Sequence, residues 1–261
     1  MYYNDELFTG IINSFEGLCE VDCVVLGGSR STSENDATSD YDIYVYCSEE
    51  LSLEKKSEAV LPFCQNAEIG NHYWELEDNC VLKNGVSIDI IYRNLTDFEN
   101  YLHLVVDNCV AWNGYTTCFW HNIINSKVLF DKSGHFSEIQ KKYTIAYPEP
   151  LRQNIIEKNR KLLSGVLPSY DMQIKKAQSR GDIVSVHHRV TEFLASYFDI
   201  IFALNRMTHP GEKRLVSLCK KHCKILPDNF EENITSLLRS VTDGNAYEAA
   251  CKIVAELDKV I

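Results

Sequence analysis

Leu26-Gly27-Gly28-Ser29-Arg30, followed by Asp40-Tyr41-Asp42-Ile43, is the stretch of this 261-residue sequence from which the fold can be predicted. The hydrophobic run from Val21 to Leu26 predicts a strand that ends at a glycine turn, and a second strand follows a polar loop. Because side chains alternate across a strand, Asp40 and Asp42 are expected on the same face. Two neighbouring carboxylates repel each other, and a divalent cation bound by oxygen ligands removes that conflict.

A third carboxylate, Asp89, lies in another hydrophobic run, from Val86 to Ile91. If that strand lies beside the first, the three acids Asp40, Asp42 and Asp89 form a site for one or two Mg²⁺ ions. The sequence therefore predicts a metal site built from two separate parts of the chain.

The diglycine turn predicts a phosphate site next to the metal. Gly27 and Gly28 allow the backbone to approach a ligand closely, and Ser29 offers a hydroxyl and an N–H to phosphate oxygens. A phosphate cradle beside a metal site is typical of nucleotidyl or phosphoryl transfer.

These residues resemble the signature of the nucleotidyltransferase superfamily related to DNA polymerase β. That signature is a hydrophobic residue, a Gly-Gly or Gly-Ser pair, a spacer, two acids one residue apart and a third acid on a later strand. The resemblance covers about the first third of the chain. It implies ATP or another NTP as donor, the use of two Mg²⁺ ions, and a third acid, Asp89, that binds metal, deprotonates the acceptor hydroxyl, or does both. It also implies a phosphate contact for Ser39, although an ordinary loop serine fits equally well, and Arg30 is either a phosphate contact or a solvated side chain.

The second half of the sequence predicts helices only. Two prolines in Tyr147-Pro148-Glu149-Pro150 end regular structure there, so we predict a catalytic domain over 1–146 and a helical domain over 147–261. The predicted fold class is α+β, with a mixed-sheet domain followed by an all-α bundle. This layout is similar to that of bacterial enzymes that adenylylate aminoglycosides or lincosamides.

The looser resemblance to those antibiotic-modifying enzymes suggests further site residues. Lys213, and after it Arg206, are candidates for a cation that contacts the triphosphate, and local charge balance is an equally good explanation for both. Glu75 or Glu77, on a predicted hairpin, and His188 and Glu192, on a long helix, are candidates for binding the acceptor. Solvated or packed side chains are the alternative for each of them.

Charge and composition limit the partners. The net charge of −11 disfavours a protein that grips nucleic acid, because phosphate neutralisation needs clustered Lys and Arg. The sequence has no hydrophobic run long enough to cross a membrane and no signal peptide at its start, so no membrane partner and a cytoplasmic location are expected. Ten cysteines without a Cys-x-x-Cys pair predict reduced thiols rather than a zinc site.

The predicted function is therefore Mg²⁺-dependent transfer of a nucleoside monophosphate, AMP from ATP by preference, to a hydroxyl of a small molecule such as an aminoglycoside or lincosamide. One alternative is AMP transfer to a protein, such as the partner of a toxin. Another is a nucleotide-binding regulator without turnover. The oligomeric state is left open.

Overall fold

A computed structural model describes residues 5–31 and 40–261. Ser39 and the side chain of Ser29 lie outside the described residues, so their roles stay predictions. The chain divides into two compact units, one formed by Met1–His103 and Asn122–Ile145 and the other by Leu104–His121 and Ala146–Ile261. The segment Leu104–His121, which the sequence assigned to the first domain, therefore groups with the helical part.

The first unit contains a six-stranded sheet with the order β3-β4-β5-β2-β1-β6. Strands β2 and β5 are parallel, and every other neighbouring pair is antiparallel. This mixed sheet, together with helices in the second half of the chain, confirms the predicted α+β class. The strands β1 to β6 are, in order, Val21–Leu26, Tyr41–Cys47, Cys64–Asn71, Glu77–Leu82, Ser87–Arg93 and Lys127–Asp131.

Helices of the first unit pack on both faces of this sheet, since α1 (Glu6–Glu16) contacts the Ile43 side, whereas Phe98 and Phe136 contact Tyr46 on the other side. Asp5 caps the first helix by accepting hydrogen bonds from the backbone N–H groups of Leu7 and Phe8, at 3.1 and 3.2 Å. The hydrophobic face of that helix packs on alternate residues of β2 and β5. These residues are buried because side chains along a strand point alternately to its two faces. Helices α1 to α6 are Glu6–Glu16, Gly28–Ser31, Leu53–Val60, Leu95–Leu102, Cys118–Asn125 and His135–Tyr143.

Part of the predicted secondary structure was wrong around the third helix. Hydrophobic spacing in the sequence predicts one helix from Leu53 to Gln65, but α3 ends at Val60, a 3-10 turn with Pro62 follows, and β3 begins at Cys64. The sequence also predicts a hairpin of strands His72–Leu76 and Val86–Tyr92 with a type I′ turn at Asn84-Gly85. The turn position is confirmed, since the Gly85 N–H donates to the Leu82 carbonyl at 2.8 Å, but the first strand is Glu77–Leu82. Gly85 has φ +87°, whereas Asn84 does not have the positive φ that a type I′ turn requires.

The second unit is helical, as predicted. Gly181-Asp182 is a sequence signal for a helix start, and Asp182 caps the longest helix, α9, since its side chain accepts from the Ser185 N–H at 3.0 Å. The short helix α8 has no comparable signal in the sequence. No helix among the described residues has both the length and the hydrophobicity needed to cross a membrane. Helices α7 to α12 are Glu149–Leu163, Tyr170–Gln178, Ile183–Leu204, Leu215–His222, Phe230–Asp243 and Ala246–Leu257.

A buried carboxylate, Asp199, ties the segment before α5 to this helical unit. It accepts hydrogen bonds from the Thr116 N–H at 3.1 Å and the Thr116 hydroxyl at 2.6 Å, and from Asn159 Nδ2 at 3.2 Å. Burial raises the pKa of Asp199 to about 7, and the donated hydrogen bonds oppose that rise. The Thr116 hydroxyl also accepts from the Trp112 N–H at 2.9 Å, so one side chain satisfies two buried groups.

We expect Thr116→Val to lower the free energy of unfolding by about 1–3 kcal/mol, the usual cost of leaving buried polar groups without a partner. Thr116→Ser is the matched control, because it keeps the hydroxyl, and it should lose less. Urea unfolding of the three proteins measures the difference. A loss in Thr116→Ser as large as that in Thr116→Val would contradict the assignment of the main stabilisation to the hydroxyl.

Candidate functional site

Two of the predicted acids are direct neighbours in the sheet. Asp42 in β2 and Asp89 in β5 are register partners in the parallel pair, so their side chains lie on the same face. The adjacent pair Ile43 and Ile90 faces the opposite side and is fully buried. The sequence prediction that the Asp89 strand lies beside the Asp42 strand is correct.

The third acid, Asp40, directly precedes β2 and is exposed. Its backbone carbonyl accepts a hydrogen bond from Arg30 Nε at 3.2 Å, and the Arg30 guanidinium lies 4.1 Å from the centre of the Tyr41 ring. Among the described residues, no group of three or more His, Cys, Asp and Glu side chains is arranged to hold a metal ion. A metal-binding role for Asp40 therefore stays a prediction.

The diglycine turn packs directly against Asp42. The Gly27 N–H donates to the Asp42 carbonyl at 2.8 Å, and Gly28 has φ +60°. A Cβ atom at Gly28 would lie 1.8 Å from Asp42 Oδ2, and one at Gly27 would lie 2.4 Å from Cε2 of Tyr44. Gly28 is thus favoured by its positive φ and its close approach to Asp42, whereas a Cβ at Gly27 would require the Tyr44 ring to move.

Two cationic side chains lie at this turn, and the sequence indicated only one of them. Arg30 belongs to the short helix α2 that follows Gly27. Lys127, at the start of β6, is the register partner of Leu26, and its Nζ lies 3.4 Å from the Arg30 carbonyl oxygen. Lys127 was missed because only the strand order brings it beside the turn.

Two further polar residues, on β4, share the face of Asp89. Asn79 is the register partner of Asp89, and its Nδ2 donates to Asp89 Oδ1 at 3.0 Å. Glu77 is buried, and burial together with the charges of Asp89 and Glu75 raises its pKa. Glu77 was predicted from the sequence as an alternative to Glu75 for contacting the acceptor. Asn79 was missed, because its place beside Asp89 depends on the pairing of β4 with β5.

Glu75, predicted to bind the acceptor, is engaged with another residue. Its two carboxylate oxygens accept from Arg93 Nε and Nη2 at 2.9 and 2.7 Å, and the Arg93 guanidinium lies 4.5 Å from the centre of the Tyr44 ring. A bidentate pair of this kind fixes both side chains. Acceptor binding by Glu75 stays a prediction, and it would have to compete with Arg93.

The remaining predicted site residues all lie in the second unit. His188 and Glu192 are exposed on α9, and Lys213 is exposed before α10. Arg206 has φ +52°, and its Nη2 lies 2.9 Å from Glu149 Oε2. The three acids lie in the first unit, so a site shared by both sets of residues stays a prediction.

The donor set on the first unit fits Mg²⁺. Asp42 and Asp89 are like charges directly opposite each other, an arrangement that destabilises a sheet. Mg²⁺ in nucleotide enzymes is typically held by one or two carboxylates together with substrate phosphates. Two opposed carboxylates therefore suffice, and the absence of a three-ligand cluster in the described residues does not conflict with this fit.

Comparisons with known proteins gave one family and a set of solved structures. Residues 115–215 match a family described as a domain of unknown function, DUF4037. No curated protein matches the sequence. The chain is similar to the crystal structure of a nucleotidyltransferase-like protein from Exiguobacterium sibiricum, with 11% identity, a TM-score of 0.44, and coverage of 98% of this chain and 73% of that one.

A second similar structure is an aminoglycoside 6-adenyltransferase from Bacillus subtilis, with 12% identity, a TM-score of 0.30, and coverage of 97% of this chain and 91% of that one. At these identities and TM-scores, neither similarity assigns an activity or a substrate to this chain.

A substitution at the diglycine turn tests its packing on Asp42. Gly28→Ala and Gly85→Ala both place a Cβ on a residue with positive φ, which costs about 1–2 kcal/mol. Only at Gly28 does the new atom overlap a carboxylate, since nothing lies within 4 Å of the corresponding position at Gly85. We expect Gly28→Ala to lose clearly more unfolding free energy in urea than Gly85→Ala, and equal losses would contradict the packing described here.

The raised pKa of Glu77 predicts a pH dependence. The folded protein favours the protonated carboxyl, so its contribution to stability is complete below the ordinary glutamate pKa of about 4.3 and is lost as the pH rises through the folded-state pKa. Glu77→Gln removes that loss, so we expect a higher Tm than wild type at pH 8, without divalent cations, and no such advantage at pH 4. The exposed Glu58→Gln should show no comparable pH-dependent gain, and a gain of the same size in both variants would exclude Glu77 as the cause.

Proposed function

We propose that this chain transfers a nucleoside monophosphate from an NTP, with ATP as the first donor to test, to a hydroxyl group of a small acceptor. The observation that carries the proposal is the pairing of Asp42 with Asp89 on adjacent parallel strands, directly beside the turn at Gly28. Acids alone would suggest only a metal site, and a glycine turn alone would suggest only a bend. Their direct contact supports a site where phosphates and a metal meet.

The residues of the first unit have distinct parts in this reaction. Asp42 and Asp89, with Asp40 as the further predicted ligand, would hold Mg²⁺. When bound, Mg²⁺ supplies Lewis-acid polarisation of the phosphoryl oxygens and compensates their negative charge. The backbone of the Gly27–Gly28 turn and the cations Arg30 and Lys127 supply donors for the phosphates.

The bond changes are those of an in-line displacement. The acceptor oxygen attacks the α-phosphorus, the bond between that phosphorus and the bridging oxygen breaks, and pyrophosphate leaves with the electron pair. The proton of the acceptor hydroxyl passes to a nearby base. Asp89 is our candidate for that base, because Asn79 holds its carboxylate and none of the described residues forms a salt bridge with it.

The exposed side chains of the second unit and the net charge of the chain guide the choice of acceptor. Glu192 and His188 are exposed on α9 and are available to a ligand, and Lys213 is likewise exposed. The acidic net charge of the chain favours a neutral or cationic acceptor over nucleic acid. A small hydroxyl compound with amino groups carries positive charge and is therefore suited to this acidic chain.

Asp42→Asn and Asp89→Asn test the proposal. Each should lower release of pyrophosphate from ATP in the presence of Mg²⁺ and an aminoglycoside or lincosamide by at least about 100-fold. Neither should lower the Tm, because each removes one of two opposed like charges. The exposed Asp243→Asn in the second unit changes the net charge equally and should keep full activity.

Wild-type turnover in either aspartate variant would refute the roles assigned to these acids. ATP binding by calorimetry without any pyrophosphate release from the wild-type chain would instead favour a regulator that binds nucleotide without turnover.

A further inference from the structure

Asp89 is the last member of a chain of hydrogen bonds that crosses three strands. The Tyr73 N–H donates to Asn71 Oδ1 at 3.3 Å, Asn71 Nδ2 donates to Asn79 Oδ1 at 2.7 Å, and Asn79 Nδ2 donates to Asp89 Oδ1 at 3.0 Å. We call Asn71 and Asn79, with these bonds, the amide relay. It begins at the turn after β3, passes through β4 and ends on β5.

The direction of the relay follows from its first and last members. A backbone N–H can only donate, so the atom of Asn71 that faces Tyr73 must be its oxygen, and its NH₂ group faces Asn79. The facing atom of Asn79 must then be its oxygen, which leaves the NH₂ group for Asp89. An ionised carboxylate can only accept, so both ends of the relay select the same orientation.

We propose that Asn79, supported by Asn71, is a positioning residue that fixes the carboxylate of Asp89 for nucleotidyl transfer. Asn79 and Asp89 are register partners, so the donor is carried by a neighbouring strand rather than by a loop. A hydrogen bond to one oxygen holds a carboxylate in one orientation. The relay occupies one oxygen of Asp89, and chemistry or metal binding then falls to the other oxygen.

Asn79 is also suited to this place because its side chain carries no charge. Asp89 already has Asp42 opposite on one side, and the charge of Asp89 reaches Glu77 on β4. A carboxylate at position 79 would add a third like charge next to Asp89, whereas an amide offers a donor without charge. The relay thus supplies a neutral hydrogen-bond donor where several carboxylates lie close together.

This inference rests on the proposed function for its kinetic consequences, but its geometry can be tested without activity. In the wild-type chain, NMR should show slow exchange of the Asn79 side-chain amide protons with solvent. Exchange should become faster in Asp89→Ala and in Asn71→Ala. Asn66, an exposed asparagine on β3, is the internal reference, and an Asn79 amide that exchanges as fast as that of Asn66 would overturn the relay.

The kinetic experiment uses Asn79→Ala, Asn71→Ala, the double variant and the control Asn66→Ala. Loss of a residue that orients a metal ligand typically costs about 10–100-fold in activity or metal affinity. We expect a loss of this size in kcat for Asn79→Ala with little change in the KM for the nucleotide, a smaller loss for Asn71→Ala, and no further loss when Asn71→Ala is added to Asn79→Ala. Asn79→Asp should be at least as impaired as Asn79→Ala.

Two outcomes separate the relay from the proposed function. If the wild type is active and Asn79→Ala behaves like Asn66→Ala, the relay has no positioning role, while the transferase proposal stands. If the wild type is inactive with every donor and acceptor, the transferase proposal falls, and the positioning role falls with it even where slow amide exchange shows that the hydrogen bonds exist.

Discussion

The pairing of β2 with β5 is the constraint on which the rest of the first unit depends. It places Asp42 against Asp89 on one face and Ile43 against Ile90 on the other. The buried isoleucine pair and its neighbours stabilise the sheet through removal of hydrophobic surface from water, which amounts to about 1.5–3 kcal/mol for each fully buried side chain. That gain allows the opposite face to hold like charges side by side, which would not be stable on an isolated strand pair.

How much of the fold and the site could be predicted depended on how far apart in the sequence the interacting residues lie. The glycine turn, the two strands next to it and the Asn-Gly hairpin are local, and their residues carry the signal in sequence. The neighbourhood of Asp42 and Asp89 was expected from a resemblance, because nothing in the residues between them specifies a parallel pair. Lys127 joins the turn through β6, which follows Asp89 by some distance in the chain, and its place at the turn depends on strand order alone.

The errors have a physical pattern. The helix predicted from Leu53 to Gln65 runs into β3, because β3 is half exposed and lacks the alternation of a buried strand. Helix α8 is short, and its stability comes from tertiary packing rather than from propensity. The segment Leu104–His121 groups with the helical unit through a contact that no local pattern indicates, the bonds of Thr116 to the buried Asp199 across 83 residues.

In the proposed transfer reaction, the charges of the first unit favour a nucleotide donor that binds together with its Mg²⁺ ion. Asp42, Asp89 and Glu77 belong to the face that would receive the triphosphate, and Arg93, the cation on the same side of the sheet, is paired with Glu75. A free nucleotide carries several negative charges and would be repelled by such a face, whereas a nucleotide that arrives with its Mg²⁺ brings the compensating charge with it. The cations at the turn, Arg30 and Lys127, lie where β1 ends, and Arg30 also donates to the backbone carbonyl of Asp40. Cations suited to phosphates and acids suited to a metal therefore meet at the diglycine turn.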